Sequence, residues 1–72
     1  MNETIEQGAI DALKKAVTKA GSQTALANAL NISPQAVQQW LSGNRVVPVK
    51  RAKAIEKLTG IKRKQLRPDI FA

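Results

Sequence analysis

Three glutamines, Gln35, Gln38 and Gln39, stand at positions i, i+3 and i+4 of the segment Ser33-Pro34-Gln35-Ala36-Val37-Gln38-Gln39-Trp40. On a helix that spacing sets all three on one face. A carboxamide offers a donor beside an acceptor, the pattern that pairs through two bonds with N6 and N7 of adenine in the major groove. A merely solvated helix carries Glu and Lys, whereas residues 22–42 hold no charge at all. The chemistry on offer is neutral hydrogen bonding to base edges. Catalysis has little to work with, because the chain has neither cysteine nor histidine. It therefore lacks a thiol nucleophile, an imidazole base and an ordinary zinc site. No two acids have the setting of a catalytic dyad. The expectation is a binding protein rather than an enzyme, with no cofactor, no metal and no small-molecule substrate.

The glutamines need a helix held at a fixed angle, and the stretch from Ser22 to Ser42 supplies it. Ser22 is suited to cap a helix that runs on to Leu30. Asn31 follows at a reversal of the chain, where it tolerates the left-handed conformation better than other residues with a side chain. Ser33 before Pro34 starts a second helix, since proline at the first helical position lacks only an N–H that has no helical partner. Leu26, Ala27, Leu30, Ile32, Val37 and Trp40 would close a small core beneath the turn. Ala27 lies where the two helices would cross, and a methyl side chain lets the backbones approach. The pattern is that of a helix-turn-helix over about residues 22–42.

Around this motif the chain reads as helix throughout. A first helix is expected from about Thr4 to Ala20, with a capping box of Thr4 and Gln7, an apolar stripe of Ile5, Ala9, Ile10, Leu13, Ala16, Val17 and Ala20, and Gly21 as its stop. Gly8 weakens its first turn, so a late start with residues 1–7 frayed is expected. Beyond Ser42-Gly43-Asn44, Pro48 is placed to open a helix ending at Thr59, with Ala52, Ile55 and Leu58 buried. Gly60 supplies the left-handed cap, after which Ile61 folds back on Ile55. Lys62 to Leu66 allows one or two further turns before Pro68. Leu66, Ile70 and Phe71 are apolar enough either to cover the core or to form an interface in segment 61–72. No strand pattern occurs. The expected architecture is all-α, five helices in one domain spanning residues 1–72.

Charge is distributed unevenly among the 72 residues, whose net charge is +7 and pI near 10.4. Residues 1–21 balance three lysines against three acids. The last thirty residues hold nine cations against Glu56 and Asp69, which read as isolated surface acids, and so carry the whole excess. A polyanion is the partner such a field attracts. Phosphates would be met at the helix N-termini by Gln23, Ser33 and the Ser22 N–H, where the helix dipole favours anions. Asn44, Arg45 and Lys50 flank the second helix of the motif and are placed for phosphates beside the groove. The N-terminus carries acids where a signal peptide needs bases, and no apolar run reaches the length of a membrane span. A cytoplasmic protein of a bacterium or its phage, held on the nucleoid through DNA, is expected.

Gln23, Ala27, Leu30, Ile32, Ser33, Val37 and Trp40 resemble the helix-turn-helix of the phage Cro and repressor family, within it the YdaS-like group of prophage Cro homologues. The segment Val47-Pro48 through Ile55-Glu56, Leu58-Thr59-Gly60 and the tail Leu66 to Phe71 resembles the carboxyl half of that group. The likeness runs from about Gly21 to Phe71, with Asn31 where the family more often has glycine. It implies a domain of the lambda-repressor-like type that binds double-stranded operator DNA and represses transcription. Because one recognition helix touches only about four to six base pairs, a homodimer on an inverted repeat is expected. The alternative the likeness carries is an antitoxin-like interaction protein of a toxin–antitoxin pair.

Overall fold

The computed structural model describes the backbone of residues 2–71 and the side chains from Gly8 to Phe71. Helix α1 (Asn2–Ala20) ends where Gly21 turns left-handed, its N–H 2.9 Å from the Val17 carbonyl. The capping box of Thr4 and Gln7 and the contribution of Ile5 fall on side chains outside the described residues. Helix α2 (Gln23–Leu30) and helix α3 (Pro34–Ser42) follow, then α4 (Val49–Thr59) and the single turn α5 (Arg63–Leu66). The architecture is all-helical, as the periodicities require.

The helix-turn-helix forms by the local devices its sequence provides. The Ser22 hydroxyl accepts the Ala25 N–H at 3.0 Å, and the Ser33 hydroxyl accepts the Ala36 N–H at 3.2 Å. Between them Asn31 adopts φ 59° and ψ 42°, and the Ile32 N–H returns to the Ala27 carbonyl at 3.0 Å. Leu26, Ala27, Leu30, Val37 and Trp40 are buried, with Ile32 half-buried against them. Helix α1 packs on all four other helices, so its stripe of Ala12, Leu13 and Ala16 forms the floor of the shared core.

The carboxyl half departs from the sequence pattern at several points. Pro48 is the N-cap of α4, one residue before the helix, in extended geometry (φ −61°, ψ 149°). Leu58 is exposed rather than buried. The inward stripe runs from Ala52 and Ile55 to half-buried Thr59, whose Oγ1 donates to the Ile55 carbonyl (2.8 Å) and accepts the Ile61 N–H (3.2 Å). Ile61, beyond the Gly60 cap, is buried in the core. Leu66 is only 1% exposed, and Phe71 packs against the same core. Of the three residues expected as a possible interface, Ile70 alone is largely exposed.

Glu56 and Asp69 are not isolated. Glu56 accepts the Arg63 Nε–H at 2.6 Å, with the Lys62 ammonium 4.0 Å away. Asp69 takes a two-pronged pair from Arg67, 2.9 Å from Nε and 2.7 Å from Nη2. The third prong of Arg67, Nη1, reaches 20 residues back to the Val47 carbonyl at 2.8 Å. Arg63 also lies 5.6 Å from the centre of the Phe71 ring, within cation–π range. The tail is thus fastened to the core by two arginines that the sequence suggests only as general positive charge.

Candidate nucleic-acid interface

Helix α3 turns Val37 and Trp40 inward, and the helical period then forces Gln35, Gln38 and Gln39 outward; all three are exposed. Ser42, one further turn along, shares that face. The helix ends at Gly43, which is left-handed (φ 84°), and the Asn44 and Arg45 N–H groups fold back onto the Gln39 carbonyl at 3.0 and 3.3 Å. Those bonds fix the exit of the chain and leave the Asn44 and Arg45 side chains in solvent.

The two capping serines sit at the N-termini of α2 and α3. Each hydroxyl accepts a backbone N–H, which leaves its own proton available to an anion. Gln23, the first residue of α2, is half-buried and lines a shallow cleft with Gln38, Lys14 and Thr18. The structure therefore brings Gln23 and Gln38 together, with a cation from α1 beside them. No sequence signal marks Lys14, because residues 1–21 sum to zero charge, and only the packing of α1 on α2 and α3 sets it here. Lys50 is exposed one residue into α4, on a separate element.

Arg51, next to Lys50, points the other way and donates from Nη1 to the Leu30 carbonyl at 3.1 Å. It thereby satisfies a carbonyl at the C-terminus of α2, where a cation also suits the helix dipole. This bond spans 21 residues and ties α4 to the turn of the motif. No sequence signal separates Arg51 from its neighbouring cations.

Among the described residues no group of acids is arranged to hold a metal ion, and no helix is long and apolar enough to cross a membrane. An exposed neutral face flanked by helix N-termini and cations can hydrogen-bond a polyanion and read what lies between its phosphates. The model of the family described as "Bacterial toxin YdaS" matches residues 13–72.

The chain belongs to the YdaS family.

Two relatives carry names. The chain is 42% identical over 59 residues to the "Putative transcriptional regulator YdaS" of Escherichia coli K12, a match covering 79% of this chain and 60% of that protein. It is 36% identical over 61 residues to the "Gene 30 protein" of Enterobacteria phage phi80, covering 83% of this chain and 84% of that protein. The chain thus spans about 60% of the length of the E. coli YdaS relative. No solved structure gives a significant match.

Proposed function

We propose that this YdaS-family protein is a sequence-specific regulator of transcription that binds double-stranded operator DNA through α3 and represses by occupying the site, in the manner of Cro. The observation that carries the reading is the outer face of α3, exposed, uncharged and built of three carboxamides on a helix capped at both ends. Gln35, Gln38 and Gln39 contact base edges. Ser22, Gln23 and Ser33 hold phosphates at the helix N-termini, and Asn44, Arg45 and Lys50 hold those beside the groove. Lys14, from its cleft with Gln23 and Gln38, adds a further phosphate contact. The name of the E. coli relative supports a regulatory role, and the +7 charge supports a polyanionic partner.

Footprinting on the DNA upstream of the protein's own gene tests this. A protected inverted repeat of two half-sites is the expected result, and uniform weak protection at all sequences would overturn sequence-specific recognition. A second reading follows from the family's description as a toxin: an interaction protein of a toxin–antitoxin pair. Gene context separates the two. A divergent repressor gene with operators between favours the Cro role, and a co-transcribed toxic neighbour favours the other.

A further inference from the structure

An apolar cleft of about 140 Å³ opens between α1, the end of α3 and the carboxyl tail. Its walls include Ile10, Trp40, Val47 and Leu66, and Arg45, Arg67 and Asp69 border it. A dry cavity of about 150 Å³ holds one benzene ring, so this space suits a single aromatic ring. The charge at the border is asymmetric. Arg67 is engaged by Asp69 and the Val47 carbonyl, whereas Arg45 is exposed and makes no ion pair among the described residues. Two guanidinium groups against one carboxylate leave a net positive border beside an apolar floor. We propose that this cleft binds a small aromatic carboxylate, its ring on Trp40 and its carboxylate on Arg45.

The site lies beside the proposed DNA-binding face, and that position gives occupancy a consequence. Gly43, Arg45, Val46 and Val47 form one wall of the cleft, and the same loop presents Asn44 and Arg45 to phosphate in the DNA-binding reading. A carboxylate on Arg45 takes that cation from the DNA backbone, so ligand and DNA compete. Binding of the ligand itself does not depend on the DNA-binding reading; the competition does.

Trp40 is the single tryptophan of the chain and lines the cleft, so its fluorescence reports occupancy directly. The full chain is titrated with sodium benzoate and with uncharged benzyl alcohol at constant ionic strength. A saturable change is expected, with benzoate acting at roughly two- to fivefold lower concentration, the preference an ion pair gives at an exposed site. Arg45→Ala abolishes that preference. Ala9→Phe or Val46→Phe fills the cleft from residues that are not fully buried and abolishes the saturable response, while circular dichroism shows each variant folded. An unsaturable response, equal response to both probes, or filled variants that respond like the native chain would overturn the site. Saturating benzoate should weaken DNA binding several-fold in the native chain and leave Ala9→Phe unaffected; unchanged DNA affinity with the cleft saturated would overturn the competition. A chain that binds benzoate but no DNA sinks the DNA-binding reading and leaves the cleft standing.

Discussion

In the proposed function, a glutamine on the outer face of α3 and a lysine at the head of α4 make different demands on DNA, and salt separates them. Neutralising a phosphate releases counterions, so each cation changes the slope of log affinity against log salt by about one unit. Lys50→Ala should flatten the slope and weaken all sequences alike. Gln38→Ala should keep the slope and lose roughly 1–3 kcal/mol on the operator only. Identical behaviour of the two variants would remove the division between reading and attraction. Glu56 and Asp69 give a second residue-scale expectation. The hydrogen bond from Arg63 holds the Glu56 carboxyl below its usual pKa, and the bond from Arg67 does the same for Asp69. A carboxylate whose pKa is lower folded than unfolded contributes stability above the unfolded value, and loses it as pH falls through the folded value. Melting temperature should therefore fall below about pH 4, and Glu56→Gln should flatten that fall, its profile meeting the native one at low pH. Parallel profiles would show that the Glu56–Arg63 pair contributes nothing to stability. Ser22, Asn31 and Ser33 were legible in the chain because each acts within three or four residues. The partners of Glu56 and Arg51 were not, because which cation lies opposite depends on how α4 meets α5 and α2.

At the scale of elements, Ala27, expected where α2 and α3 cross, is wholly buried. Ala27→Leu should cost about 1–3 kcal/mol by overpacking, a large share of what a small domain has. Unchanged melting would mean that the helices do not cross there. Helices α2 and α3 could be read in advance because their caps, turn and apolar spacing agree with one another. The tail could not. Leu66, Ile70 and Phe71 have the composition of either a core or an interface, and nothing in their spacing foretells that Leu66 is buried and Phe71 packed against the core while Ile70 stays exposed. A chain cut after Gly60 loses Ile61 and Leu66 from the core and should unfold, rather than persist as a weak half-site binder. A cooperative melt of the shortened chain would show that the tail is an appendage.

For the whole molecule, the proposed function raises the question of how so small a protein would find one site in a genome. A single recognition helix reads about four to six base pairs, and two copies on an inverted repeat double the site and multiply the discrimination. The expected pairing surface, Leu66 with Ile70 and Phe71, is largely spent on the monomer's own core, and among the described residues the large apolar side chains left exposed are Val46, Leu58 and Ile70. The dimensions bear on the same point. Half-sites one turn of DNA apart set the recognition helices about 34 Å from each other, while the molecule measures 31 × 22 × 19 Å. Under the proposed two-copy reading, that spacing exceeds every dimension of one copy, so direct contact between the copies is expected to fall short of the area that holds a stable free dimer. The protein alone should therefore sediment as a monomer at micromolar concentration, and two copies should assemble only on the full operator, held chiefly by the DNA they share. Sedimentation with and without DNA decides it. A dimer free in solution would mean that Val46, Leu58 or Ile70 is part of a larger interface, and a strict one-to-one complex on the full natural site would end the two-copy proposal.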